Sequence, residues 1–137
     1  MGRVVAIDYG RKRTGLAVTD PLRIIATALD TVPSTDLLSY LKAYSQKETV
    51  DEFVIGMPKT LKNEDSETAP LVRKFIELLK NNFPGKPVHE VDERFTSRMA
   101  QRTMIDGGMK KKDRQEKGNV DKISATIILQ SFLESSR

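Results

Sequence analysis

The stretch Arg3-Val4-Val5-Ala6-Ile7-Asp8-Tyr9-Gly10 constrains this chain more than any other. Residues 4–7 are apolar and largely β-branched, and a turn signal follows them, so they predict a short buried strand. Such a strand normally ends in solvated turn residues. This one ends by presenting a carboxylate, Asp8, at the surface of the sheet. Gly10 then leaves room for another backbone or a ligand to come close. Taken alone, Asp8-Tyr9-Gly10 is also an ordinary turn. The remainder of the chain decides what the acid is for.

Arg11-Lys12-Arg13 reads as a hairpin turn into a second strand, with Leu16 and Val18 on one face and Asp20-Pro21 at its end. Residues 24–32 form a third strand, which completes an antiparallel meander. Pro33-Ser34-Thr35 opens a first helix, in which Leu37, Leu38, Leu41 and Tyr44 share helical spacing. Residues 50–56 form a fourth strand, parallel to the one it joins because a helix precedes it. Gly56-Met57-Pro58-Lys59 follows as a loop facing a ligand, and residues 62–67 as a flexible connection.

Thr68 caps a second helix with Pro70 in its first turn. Its apolar face is Leu71, Val72, Phe75, Ile76, Leu78 and Leu79, and Pro84-Gly85 breaks it. Residues 88–92 make a fifth strand that runs into Glu93-Arg94. Thr96 caps a third helix, which Gly107-Gly108 stops. Residues 109–118 are a basic linker, and Asn119 caps a last helix from 120 to about 135.

Strands four and five therefore fall beyond strand one, which becomes the centre of a five-stranded mixed sheet with helices on both faces. Strands 1–3 are antiparallel, and strands 4 and 5 run parallel to strand 1. In such sheets ligands bind at the carboxyl ends of the parallel strands, where Asp8, Gly56 and Glu93 all lie. With 137 residues, the chain suits one domain spanning 1–137.

Composition narrows the chemistry. Cysteine is absent and His89 is the single histidine, so thiolate and multi-histidine metal sites are excluded. A metal here needs oxygen ligands, which favours Mg²⁺ or Mn²⁺. No apolar run spans a membrane and no signal-peptide pattern opens the chain, so the expected location is the cytoplasm. A net charge of +4 and a pI near 9.4 suit a polyanionic partner. The positive charge gathers at Arg11, Lys12 and Arg13, and again at Lys110, Lys111, Lys112, Arg114 and Lys117.

Three acids stand out: Asp8, Glu93 and Asp121. By spacing, Asp121 shares a helical face with Ala125, Ile128 and Phe132, which is the core-facing stripe. Singly, each has an ordinary explanation. Asp121 suits a helix N-terminus, and Glu93 could pair with Arg94. Together, three anions at one sheet edge repel unless cations lie between them. Two divalent ions about 3.5–4 Å apart would satisfy that arrangement and clamp a phosphodiester displacement. Asp92 competes with Glu93, because neighbouring strand residues face opposite ways.

Several motifs carry a resemblance. Asp8-Tyr9-Gly10 with Gly15-Leu16-Ala17, then Gly56-Met57-Pro58, then Asp92-Glu93-Arg94-Phe95-Thr96-Ser97 with Ala100, and finally Asp121 with Ala125 resemble the YqgF family. Its members are proposed Holliday junction resolvases, also described as nucleases that mature the small-subunit ribosomal RNA precursor. The resemblance covers nearly the whole chain, and the Asp-Glu-Arg-Phe-Thr-Ser block is its most specific part.

It implies a ribonuclease H-like fold, bacterial cytoplasmic nuclease activity, and Asp8, Glu93 and Asp121 as the catalytic, metal-binding acids. Related nucleases often show a fourth carboxylate, and no clear fourth appears here. The implied partner is structured nucleic acid, either an rRNA precursor or branched DNA. Ribosome association is left open, as is the choice between monomer and homodimer. No membrane partner is expected.

Candidate phosphate contacts are Arg11, Lys12, Arg13, Lys59, Arg94 and Ser97, with Lys110, Lys111 and Lys112 on a flap that orders on nucleic acid. Two other readings stay open: a non-catalytic RNA-binding or transcription-associated module, and a minimal actin- or sugar-kinase-like ATP-binding protein.

Overall fold

The computed structural model describes residues 2–57, 68–92 and 117–135, the side chains of 92 and 117–122 excepted. Strand β1 (Arg3–Asp8) pairs antiparallel with β2 (Arg13–Thr19), and β2 pairs antiparallel with β3 (Ala26–Pro33). A 3-10 turn at Ser34–Asp36 leads into helix α1 (Leu37–Lys47). Strand β4 (Val50–Met57) then lies parallel to β1. Helix α2 (Ala69–Asn82) returns the chain to β5 (Val88–Asp92), which is parallel to β4. Helix α3 (Lys117–Ser135) closes the fold. The strand order is β3-β2-β1-β4-β5, with β1 at the centre as expected.

Alternation along β1 sorts the core into two layers. Val5 and Ile7 pack with Leu16, Val18, Phe53 and Ile55 beneath α1 and α2, where Leu37, Leu41, Val72, Phe75 and Leu79 are buried. Val4 and Ala6 face the other way, against Ala17, Val54 and the α3 residues Ala125, Ile128 and Leu129. Small residues on that side of the sheet let α3 lie close across β1 and β2. All four residues Val4, Val5, Ala6 and Ile7 have no exposed surface. A strand covered on both faces has to be continuously apolar, and this one is.

Several boundaries differ from expectation. The third strand starts at Ala26, not at residue 24. The Asp20 carboxylate accepts the backbone N–H groups of Ile24 (2.7 Å) and Ile25 (2.8 Å), and Arg23 takes a left-handed conformation with φ of 59°. A turn thus uses the donors that a longer strand would have needed. The fourth strand runs one residue further, through Met57, because Met57 still pairs with Asp92.

The Thr68 side chain does not cap α2: its backbone is already helical, and only its carbonyl takes part, accepting from Val72 N at 3.1 Å. Leu78 lies off the buried stripe and is exposed. The last helix begins at Lys117, two residues before its expected cap at Asn119. Lys117 and Gly118 therefore belong to the helix and not to the basic linker. Asn119 falls in the first turn, where N–H groups have no intrahelical acceptor to lose. The third helix and the linker residues 109–116 lie outside the described residues.

Candidate nucleic-acid active site

Asp8 is the last residue of the central strand. Its neighbours Ile7 and Tyr9 both belong to the α2 side, Tyr9 with its ring 5.4 Å from that of Phe75. Alternation therefore gives Asp8 to the α3 side. Across the sheet Asp8 pairs with Gly15 on β2. On β4 the pair Ile7–Ile55, extended by one residue, brings Gly56 alongside, and Gly56 in turn pairs with Val91 on β5. The row Gly15, Asp8, Gly56, Val91 thus holds one carboxylate between two residues without side chains. Asp8 therefore stands at the carboxyl end of the parallel strands, on the face that α3 covers, with no side chain on the neighbouring residue of either adjacent strand. Gly15 and Gly56 are readable in the sequence as glycines interrupting strands, the usual sign of a close approach. Their position on either side of Asp8 emerges only from the register.

Arg11 and Lys12 lie on the β1–β2 turn and Arg13, expected in that turn, already opens β2; all three are exposed, starting three residues after Asp8. Gly10 makes this turn possible. A Cβ at Gly10 would collide with the carbonyl oxygen of Arg13. The close approach foreseen at Gly10 is therefore one of backbone to backbone. Ser34, which the sequence marked only as part of a helix opening, holds the loop from behind. Its backbone N–H donates to Lys12 O at 2.9 Å, its hydroxyl donates to Gly10 O, and it lies 2.9 Å from the hydroxyl of buried Thr14.

A second polar cluster sits further back along the strands, where β1 and β4 begin. Arg23 bridges Asp51 (2.9 Å) and Glu52 (2.8 Å), and Glu52 also bonds His89 Nε2 at 3.0 Å. Asp51 is held below the usual carboxylate range, first by the N–H of Gly2 and then by Arg23. His89 is thereby engaged with Glu52 and stacked on Phe132, two residues before Val91 in the Asp8 row.

Of the acids expected at the site, Asp8 is fully described. Asp121 lies in the first turns of α3, one turn before Ala125, which is buried against Val4 and Ala6. Its side chain is outside the described residues, as are Glu93, Lys59, Arg94, Ser97, Lys110, Lys111 and Lys112. Among the described residues, no group of three or more His, Asp or Glu gathers to hold a metal. What is described suits a hard cation: an oxygen donor beside two glycines, no cysteine, and a histidine already engaged elsewhere.

The strand order and directions, with helices on both faces, define a ribonuclease H-like α/β protein. Two solved complexes share that fold. One is fowlpox virus resolvase with substrate Holliday junction DNA (TM-score 0.62, 15% identity, 98% of each chain covered). The other is T. thermophilus RuvC with a Holliday junction substrate (TM-score 0.59, 12% identity, 99% of this chain and 96% of that one). The chain belongs to the RuvX family, described as Holliday junction resolvase, whose family model matches residues 2–135. Relatives named "Putative pre-16S rRNA nuclease" are similar along their whole length. That of Bacteroides thetaiotaomicron is 56% identical over 137 residues, covering 100% of this chain and 99% of the relative. That of Flavobacterium psychrophilum is 51% identical over 133 residues, covering 97% of each. Among the described residues no helix is long and apolar enough to cross a membrane.

Proposed function

We propose that residues 1–137 form one cytoplasmic nuclease domain that hydrolyses phosphodiester bonds in structured nucleic acid with the help of divalent metal. The observation that carries this reading is Asp8. It ends the most buried strand, flanked by glycines, on the face that α3 covers. Asp121 is the natural second acid, since α3 begins over that face and position 121 precedes buried Ala125 by one turn. Glu93 is preferred over Asp92 as the third. On β5 the odd positions His89 and Val91 lie toward α3, Val91 within its core layer and His89 against Phe132. Residue 93 has the same parity. Two interstrand steps of about 4.8 Å separate the β1 and β5 ends, a gap that paired carboxylates and cations can fill.

Asp8, Glu93 and Asp121 would hold Mg²⁺ or Mn²⁺. When bound, a metal pair supplies Lewis-acid activation of water and neutralises charge on the departing oxygen. The protein's own part is to supply the three carboxylates, Asp8 from the central strand and Asp121 from α3 among them, and to offer phosphate the exposed cations Arg11, Lys12 and Arg13. Those cations contact backbone and not bases, so selection is by shape and binding is sensitive to salt. The names of relatives more than half identical over their full length make pre-16S rRNA the first substrate to try. The family description adds four-way junction DNA.

Purified protein and Asp8→Asn are compared on both substrates at matched salt, with Mg²⁺, with Mn²⁺ and with a chelator. Wild type should cleave only with metal, and the variant should bind but not cleave. Equal cleavage by both proteins would assign the activity to a contaminant and favour a non-catalytic binding module.

A further inference from the structure

The loop after Asp8 sets a physical problem. Three consecutive cations, Arg11, Lys12 and Arg13, stand exposed where the turn runs into β2. An unrestrained loop of this kind would sample many arrangements, and each would have to be ordered again when phosphate binds. Backbone carbonyls turned outward would add negative partial charge where the anion approaches.

Ser34 addresses both difficulties. Its N–H takes the Lys12 carbonyl and its hydroxyl takes the Gly10 carbonyl, so one residue ties two loop acceptors inward. The Ser34 hydroxyl proton is committed to Gly10, so the 2.9 Å contact with Thr14 runs from the Thr14 hydroxyl to Ser34 Oγ. Thr14 is completely buried, so the relay is anchored in the sheet. Ser34 itself opens the 3-10 turn at the junction of β3 and α1, both of which pack into the core.

We propose that Ser34, backed by Thr14, is a positioning residue for nucleic acid. It fixes the backbone of the turn from Gly10 to Lys12, which leads into β2 at Arg13, so that the three cations meet phosphate in a preset arrangement beside Asp8. The inference rests on the proposed ligand class, structured nucleic acid, but not on cleavage.

Binding of four-way junction DNA and of a structured RNA hairpin is measured for wild type, Ser34→Ala, Ser34→Thr and Thr14→Val. Each is also made in a background with Arg11, Lys12 and Arg13 all changed to Ala. Thermal midpoints are recorded for every protein. Ser34→Ala should weaken binding about five- to tenfold at low salt through reduced preorganisation. Ser34→Thr should restore it, and Thr14→Val should lie between. With RNA cleavage as readout, KM should rise and kcat should stay within about twofold, the signature of a weakened binding contribution.

In the triple-alanine background Ser34→Ala should have almost no further effect, because the groups it positions are gone. Equal losses in both backgrounds would reduce Ser34 to a fold-supporting residue and overturn the inference. Wild-type affinity in Ser34→Ala would overturn it as well. Failure of the wild type to bind either ligand would overturn it together with the nuclease reading, whereas binding without cleavage would count against the nuclease reading alone.

Discussion

Ile128→Ala tests whether α3 holds the site over Asp8. Ile128 is fully buried between α3 and the sheet, beside Val4, Ala6, Val54 and Ala125. The substitution removes three carbon groups at about 0.8 kcal/mol each. Incomplete collapse of the cavity brings the loss to about 3–4 kcal/mol. A domain of this size has about 5–15 kcal/mol in all, so the variant stays folded. With an unfolding entropy of about 2.1 cal/mol/K per residue over 137 residues, the midpoint should fall by about 12 °C.

Leu79→Ala is the control. Leu79 is equally buried, loses the same number of carbons, and packs in the layer beneath α1 and α2. Urea unfolding followed by circular dichroism should give similar losses for the two variants, with unchanged slope. Nuclease assays well below both midpoints should separate them. Leu79→Ala should keep its kcat, while Ile128→Ala should lose about tenfold or more, because small displacements of catalytic groups are costly. Equal kcat for the two variants would refute the view that α3 carries part of the site.

Other expectations follow from the same geometry. Changing Arg11, Lys12 and Arg13 to Ala should make the slope of log affinity against log salt shallower by about 0.7–0.9 for each phosphate no longer neutralised, read by fluorescence titration from low to moderate salt. The same change at Lys110, Lys111 and Lys112 should also weaken binding and flatten the salt response if that segment meets nucleic acid; an unchanged slope would remove it from the site. Gly10→Ala should cost about 1–3 kcal/mol by overpacking the loop, measured by urea unfolding. Asp51 has a folded pKa below its ordinary value of 3.8, so its contribution is complete above that pH and is lost as the pH falls below it. Asp51→Asn should therefore lower the thermal midpoint at neutral pH, approach wild type as the pH falls below that value, and so flatten the acid limb of the midpoint against pH.

The architecture was legible because residues 4–7 and 53–55 are continuous apolar runs, and 88–92 is a short segment bounded by Pro87 and a charged pair, with helical spacing between them. Handedness and crossover rules then allow few strand orders. Asp8 was legible for the same reason, as a charge ending a buried run. Boundaries were less so. The Asp20 turn took the donors of Ile24 and Ile25 through a side chain, which periodicity does not register. Ser34 could not be found from sequence either, since a serine after proline reads as an ordinary helix opening. Its role comes from tertiary contact with a loop more than twenty residues away. The glycines beside Asp8 were visible as motif residues, but what they do depends on strand register.

The zero exposure of β1 has a consequence for motion. Amides in the middle of that strand, bonded on both sides and sealed from solvent above and below, should exchange with deuterium only when the entire protein opens. Helix ends and the edge strand β3 can fray far more often. Asp8 is thus mounted on the last element to let go, so its position should outlast the fraying of every other part of the described fold.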